Sequence, residues 1–225
     1  MPPAYSEALL DEKLHHLSKW HCDYAGFQRF VRLTVAPLKI QANEPFRFLE
    51  LGVRLALGCP CPQPVANAHA ALFPSQVGVG AFARVLLQDF PSSTMIGIDH
   101  SPKAVAIAEV VLPGNRSRAF VADMAALPAS LGPFDHILSP GSLCYLRSLS
   151  AVRSAVAGYM RSLRPAGGFC ASMLPVSWDE RGSCSTYIPE SFWTNLPNFC
   201  LISSESMEKW PVSGGGRYSV CGRRC

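Results

Sequence analysis

The sequence predicts one α/β domain, a doubly wound and mostly parallel sheet of seven strands with a C-terminal antiparallel hairpin and a helical N-terminal cap. From residue 46 to residue 174, short apolar runs alternate with helical segments, which is typical of parallel strands joined by helices. The last two apolar runs leave no room for a helix between them, and this favours a hairpin. A chain of 225 residues is long enough for one domain with a full core and too short for two ordinary domains.

The predicted elements follow in chain order. Residues 1–43 form the cap, because residues 6–20 and 25–36 each place apolar side chains on one helical face. Strands are predicted at 46–51, 94–99, 118–123, 134–139, 167–174, 199–205 and 217–222. Helices are predicted at 81–89, from Ser101 and Pro102 onward, and at 150–163. Ser101 supplies a hydroxyl cap, and Pro102 suits the first helical position.

Residues 53–76 interrupt this alternation and are predicted to be an irregular insertion. They contain four prolines and one charged residue, Arg54, without strong periodicity. A loop of this length is uncommon inside a compact domain. Two origins stay open, a native surface insertion and a retained intron, because possible codons of Val53-Arg54 and of residues 73–76 resemble a splice donor and a splice acceptor. Transcript sequencing separates the two origins.

When residues 53–76 are left out, Glu50 and Gly52 run directly into Gly78 and Gly80. An acidic residue at a strand end, followed by glycines at alternate positions, resembles the first motif, E/D-x-G-x-G-x-G, of the class I S-adenosylmethionine-dependent methyltransferases. Acids at the ends of the next two strands, the run FDHILSPGSL, the turn SLRPAGGF and the terminal hairpin are similar to later parts of the same family. The resemblance implies a Rossmann-like fold, S-adenosylmethionine as the cofactor and methyl transfer as the reaction.

The resemblance also assigns cofactor-binding residues, most of which fall at strand ends. Asp99 would accept hydrogen bonds from the ribose hydroxyls, and Asp123 with Met124 would hold the adenine ring. Ligands of open α/β sheets lie beyond the carboxyl ends of the strands, and glycines let the backbone approach them closely. The predicted cofactor-binding residues are Glu50, Gly52, Gly78, Gly80, Asp99, His100, Asp123, Met124 and Ser139.

The methyl acceptor is predicted less directly. Transfer from a sulfonium requires alignment more than a dedicated base, so no catalytic group stands out, and Tyr145 and His100 are the candidates. Further candidate acceptor contacts are Trp178, Asp179, Tyr24 and His21. The loop after the fourth strand lacks the Asn/Asp-Pro-Pro-aromatic pattern of enzymes that methylate amino groups of nucleic acids. A small molecule is therefore the first expectation for the acceptor, and a protein side chain is the second.

Two other functions stay open. An NAD(P)-dependent oxidoreductase would use Gly78, Gly80 and Ala83 as a G-x-G-x-x-A fingerprint, with Asp99 19 residues beyond Gly80. That fingerprint must follow its strand directly, and the preceding run AALFPSQ contains a proline. A methyltransferase fold whose interrupted glycine loop no longer closes on the cofactor would instead leave an impaired isoform or a scaffold.

Composition limits the partners and the compartment. The net charge of +4 is modest and no basic stripe is interleaved with aromatics, so no nucleic acid is expected. No run of about 18 apolar residues and no secretory signal are found, so neither a membrane span nor export is expected. Nine cysteines with irregular spacing predict free thiols in the cytoplasm. Cys59, Cys61 and His69 lack the spacing of a four-ligand zinc site, so no metal is expected.

Overall fold

Seven strands form one sheet in the computed structural model of the protein, which describes residues 24–52, 80–100, 102–112, 114–143, 146, 148–173, 186, 188–207 and 217–225. The strands are β1 Arg47–Leu51, β2 Thr94–Asp99, β3 Ser117–Val121, β4 Phe134–Pro140, β5 Leu163–Met173, β6 Phe199–Met207 and β7 Arg217–Arg224. Their order is β3-β2-β1-β4-β5-β7-β6. Strands β1 to β5 are parallel, and β7 pairs antiparallel with both β5 and β6. The predicted sheet and its terminal hairpin are confirmed.

The described α-helices lie where the sequence predicted them, the first before the sheet and the other three between parallel strands. They are α1 Tyr24–Val35, α2 Ala81–Asp89, α3 Pro102–Val111 and α4 Leu149–Ser162, and a 3-10 helix spans Glu190–Asn195. Helix α4 begins after Ser148, whose Oγ accepts a hydrogen bond from the Ala151 N–H at 3.1 Å. The helix predicted at 6–20 lies outside the described residues. None of the helices within the described ranges combines the length and the hydropathy needed to cross a bilayer.

Two apolar clusters cover the two faces of the sheet. Phe48 of β1 packs in one cluster with Phe30 of α1 and Phe82 of α2, whose rings meet edge to face at 6.3 Å. Leu49, the next residue of β1, packs in the other cluster with Tyr159 of α4. Successive side chains of a strand point to opposite faces, so one short strand supplies both clusters. Helices therefore cover both faces of the sheet.

Two disulfide bonds correct the prediction of free thiols for the four cysteines within the described residues. Cys170 of β5 and Cys221 of β7 stand directly opposite each other, with their Cα atoms 4.3 Å apart. Cys200 of β6 is bonded to Cys225, with a Cα–Cα distance of 5.7 Å. Facing positions of antiparallel strands bring Cα atoms within bonding reach. Irregular sequence spacing hides the Cys170–Cys221 pair, because only the strand register shows that these two cysteines face each other.

Candidate active site at the carboxyl edge of the sheet

The ends of three neighbouring parallel strands bring the predicted acidic residues to one edge of the sheet. Glu50 lies near the end of β1, Asp99 ends β2, and Asp123 follows β3 by two residues. Hydrogen bonds continue past the strand ends, from the Gly52 N–H to the Ile98 carbonyl at 2.8 Å, and from the Ala122 N–H to the Asp99 carbonyl at 2.9 Å. The loops that leave these strands therefore start side by side.

Glu50 links the end of β1 to the start of α2. Its side chain is fully buried, and Oε2 accepts a hydrogen bond from the Ala83 N–H at 3.2 Å. Ala83 is the third residue of α2, whose N-cap, Gly80, has no side chain that could accept it. The Glu50 carboxyl group thus replaces the missing cap. Its Oε1 atom is buried and makes no hydrogen bond within the part of the chain that the structure describes.

Burial raises the pKa of Glu50 from 4.5 to about 8, although the Ala83 N–H opposes part of the shift. Between these two pH values the folded protein holds a proton that the unfolded chain releases, so stability falls as the pH rises. The contribution of Glu50 is complete below pH 4.5 and is lost as the pH rises through about 8, by up to about 5 kcal/mol. We expect Glu50→Gln, which keeps an acceptor for Ala83, to remove this dependence.

Urea unfolding of both proteins at about pH 5 and about pH 8 measures the effect. The free energy of unfolding of the wild-type chain should fall more steeply with pH than that of the glutamine variant. Parallel pH profiles for the two proteins would contradict a buried, proton-holding Glu50.

The two described glycines of the first motif each allow a close contact. Both have φ of +75°, a conformation that favours glycine. A Cβ on Gly52 would lie 2.6 Å from Cβ of Ser142, and a Cβ on Gly80 would lie 2.9 Å from Cγ of Leu112. Ser142 is buried and shares a hydrogen bond of 2.7 Å with the hydroxyl of Ser139. The loop after β1 therefore packs directly on the loop after β4.

Asp99 and His100 form the middle of the site. The Asp99 side chain is only 1% exposed although it stands at the strand edge, and its Oδ1 lies 3.4 Å from Nδ1 of His100. The His100 side chain is 64% exposed. A buried carboxylate that only accepts hydrogen bonds suits a ligand that brings hydroxyl groups.

Asp123 and Met124 form the third part of the site, on a short 3-10 turn, Met124–Ala126. Oδ1 of Asp123 accepts a hydrogen bond from the Ala125 N–H at 2.8 Å and so caps the turn. Met124 is half-buried against the core cluster that includes Tyr159. The turn thus presents a carboxyl group and an apolar side chain next to each other.

Several predicted site residues lie outside the described residues, and the sequence prediction missed two residues that support the site. Outside the described residues are Gly78, Tyr145, His21, Trp178 and Asp179, and for Tyr24, which begins α1, only the backbone is described. Sequence reasoning missed Ser142, which contacts Gly52, and Tyr159, which donates a hydrogen bond to the Met124 carbonyl. The pattern of α4 indicates a core position for Tyr159, and no sequence signal reveals the partner of its hydroxyl group.

The groups at this edge fit an adenosine. Asp99 and Asp123 belong to the ends of paired strands, which run about 4.8 Å apart in parallel sheets. Both carboxylates accept hydrogen bonds, and adenosine offers two ribose hydroxyls and an exocyclic amine as donors. Met124 adds an apolar contact, and the buried Oε1 of Glu50 is left for a polar group of a ligand arriving beside the glycine turn. The donor and acceptor chemistry therefore matches S-adenosylmethionine.

The family model described as "Methyltransferase domain" matches residues 76–167. The match begins at Gln76, the last residue of the predicted insertion, and it includes α2, Asp99, Asp123 and all of β4. No curated protein matches the chain. The stretch from the glycines to the start of β5 is therefore similar to a methyltransferase domain, and residues 53–75 lie outside the match.

Solved structures share this fold across most of the chain. The N-methyltransferase NodS from Bradyrhizobium japonicum WM9 is 16% identical, with a TM-score of 0.62 over 88% of this chain and 96% of that one. Magnesium protoporphyrin IX methyltransferase (ChlM) from Synechocystis PCC 6803, solved with bound SAH, is 16% identical, with a TM-score of 0.62 over 89% and 84%. An S-adenosylmethionine-dependent methyltransferase from Clostridium acetobutylicum ATCC 824 is 11% identical, with a TM-score of 0.64 over 96% and 99%. At these identities the likeness concerns the fold.

Proposed function

We propose that the chain is a class I Rossmann-like methyltransferase that transfers the methyl group of S-adenosylmethionine to a small-molecule acceptor. The observation that carries the proposal is the placement of Asp99 and Asp123 at the ends of adjacent strands, beside the Gly52 turn. Acceptor groups at this spacing match the donors of one adenosine. The family match over residues 76–167 supports the same reaction.

The residues of the chain would bind and orient the cofactor more than perform chemistry themselves. When bound, S-adenosylmethionine supplies an activated methyl group for in-line displacement. Asp99 would hold the ribose hydroxyls, Asp123 and Met124 the adenine, and the Gly52 turn would let the backbone approach. A base is needed only for an acceptor that arrives protonated, and Tyr145 and His100 remain the candidates for that role.

Isothermal titration with S-adenosylhomocysteine, S-adenosylmethionine and NAD(P) tests the proposal. We expect heat with the two adenosyl ligands and none with NAD(P). Binding of NAD(P) without binding of either adenosyl ligand would overturn it in favour of the oxidoreductase reading of Gly78, Gly80 and Ala83. A screen of metabolites against the loaded protein, read out as S-adenosylhomocysteine release, then tests the small-molecule acceptor against a protein acceptor.

A second candidate is an impaired isoform whose glycine loop no longer closes on the cofactor. It is favoured by the family match, which begins at the last residue of the insertion, while Glu50 and Gly52 precede the insertion. The cofactor site tolerates displacement of its glycines poorly, because binding groups must lie within about 0.5 Å of their productive positions. In this case the fold persists as a scaffold while cofactor affinity is weak.

The proposed compartment is the cytoplasm, as the sequence predicted. The two disulfide bonds weigh against it, because cytosolic thiols are normally kept reduced. Alkylation of the protein taken directly from its own cells and denatured without reductant, so that buried thiols also react, decides between the two. Labelled Cys170 and Cys221 support the cytoplasm, and protected cysteines indicate an oxidising compartment.

A further inference from the structure

We propose that Tyr159 is a positioning residue for adenine recognition, because its hydroxyl group holds the turn that carries Asp123 and Met124. The proposal rests on the proposed function, in which these two residues contact the base. Tyr159 lies in α4 and is not one of the predicted cofactor-binding residues, so it would act through the turn. Its effect would therefore appear in the choice of base rather than in the reaction.

The contact joins α4, which packs in the core, to the exposed turn that carries Asp123 and Met124. The hydroxyl of Tyr159 donates a hydrogen bond of 2.7 Å to the Met124 carbonyl, 35 residues away in sequence. The Tyr159 side chain is fully buried, and its ring stacks on Phe169 of β5 with centroids 6.0 Å apart and planes at 23°. Helix α4, which carries Tyr159, and strand β5, which carries Phe169, both contribute side chains to the same core cluster. The donor is therefore held in place before any ligand arrives.

Among the described residues, the turn is otherwise held by the bond from the Ala122 N–H to the Asp99 carbonyl and by the partly buried side chains of Met124 and Leu127. It is three residues long, and none of them is buried. Its internal hydrogen bonds, from the Ala125 N–H to Asp123 Oδ1 at 2.8 Å and from the Ala126 N–H to the Asp123 carbonyl at 3.1 Å, shape the turn without anchoring it. The bond from Tyr159 does anchor it, and the half-buried Met124 packs alongside.

The hydroxyl group stays a donor over the whole working pH range. Burial raises the pKa of Tyr159 well above its usual value, and the nearby carboxylate of Asp123 raises it further. Tyr159 therefore supports both residues that would read the base, because its hydroxyl group binds the Met124 carbonyl and Asp123 caps the same turn.

Hydrogen exchange of the ligand-free, full-length protein provides the first test. In Tyr159→Phe the amides of Ala125 and Ala126 should exchange about three- to tenfold faster, the effect of losing one buried hydrogen bond. Trp193→Phe is the matched control, because Trp193 is fully buried in the same cluster and packs on Phe169. It should lower stability without speeding exchange in the turn. Equal exchange in the wild type and Tyr159→Phe, or the same acceleration in both variants, would overturn the proposal.

Base discrimination provides the second test. The ratio of affinities for S-adenosylhomocysteine and its hypoxanthine analogue should fall about three- to tenfold in Tyr159→Phe and stay unchanged in Trp193→Phe. An unchanged ratio in Tyr159→Phe would overturn the role in base recognition. Failure of the wild type to bind either ligand would instead overturn the proposed function, whereas the exchange experiment would still judge the anchoring of the turn.

Discussion

Deletion of residues 53–76 is expected to increase the affinity for S-adenosylhomocysteine about 30-fold, because it restores the short glycine loop of the first motif. In the full chain 27 residues join Gly52 to Gly80, and in the shortened chain three would do so. Ordering a loop nine times longer costs about 2 kcal/mol more, which corresponds to the stated factor. Both ends of the loop are already fixed by hydrogen bonds. The Gly52 N–H donates to the Ile98 carbonyl of β2, and the Glu50 carboxyl group accepts from the N–H of Ala83 in α2.

The deletion effect can appear in binding or in folding, and the two are separable. If the glycines take up one arrangement only around the cofactor, the cost falls on binding, and titration calorimetry shows the gain. If the fold alone orders them, the free energy of unfolding rises by about 2 kcal/mol while affinity stays the same. We expect the first result, and equal affinity of the two chains would show that the insertion is harmless.

A linker variant provides the matched control for the deletion. Replacing residues 53–76 by a glycine-serine segment of the same length keeps the loop long and removes its prolines and cysteines. If loop length is responsible, this variant binds as weakly as the full chain. If it binds as tightly as the shortened chain, the native segment itself obstructs the site. The linker variant therefore shows whether the length of the segment or its own residues weaken binding.

The sheet was predictable from the sequence because its strands are short apolar runs that end in acids or glycines. Strand β2 and helix α2 have the predicted bounds, since a turn or a polar residue limits each of them. Strand β5 begins at Leu163, four residues before its predicted start, because Leu163 already pairs with Phe134 of β4 across a register shift. The run RPAGG was interpreted as a turn because it resembles the family's turn before the fifth strand.

The site was predictable only in part, because a strand end can be located from sequence but a contact between loops cannot. Asp99 stands at a strand end that the apolar pattern already marked. The contact of Gly52 with Ser142 and the bond from Tyr159 to Met124 depend on how loops and helices pack across the sheet. The facing of Cys170 and Cys221 depends likewise on register. Each of these contacts joins segments that no local pattern relates.

Asp99→Ala is expected to weaken the binding of S-adenosylhomocysteine about 100-fold. The variant removes two charge-assisted hydrogen bonds to the ribose hydroxyls, worth about 3 kcal/mol together. Asp99→Asn keeps one acceptor atom and should lose about tenfold. Titration calorimetry gives both values. The matched control is Asp135→Asn at the start of β4, where the carboxyl group accepts bonds of 2.8 Å from the Arg47 N–H and 2.6 Å from Arg164 Nη1.

Asp135 lies at the amino end of its strand, whereas Asp99 lies at the carboxyl end of a parallel strand. The Asp135 variant should therefore lose stability and keep its affinity for the ligand. A ligand without the ribose 2′-hydroxyl makes the assignment sharper. The wild type should bind this ligand about tenfold more weakly than S-adenosylhomocysteine, because one hydrogen bond to Asp99 is lost. Asp99→Ala should bind both ligands equally, because the acceptor is already absent and the two losses are then not additive. If Asp99→Ala still distinguishes the two ligands tenfold, another group reads the ribose.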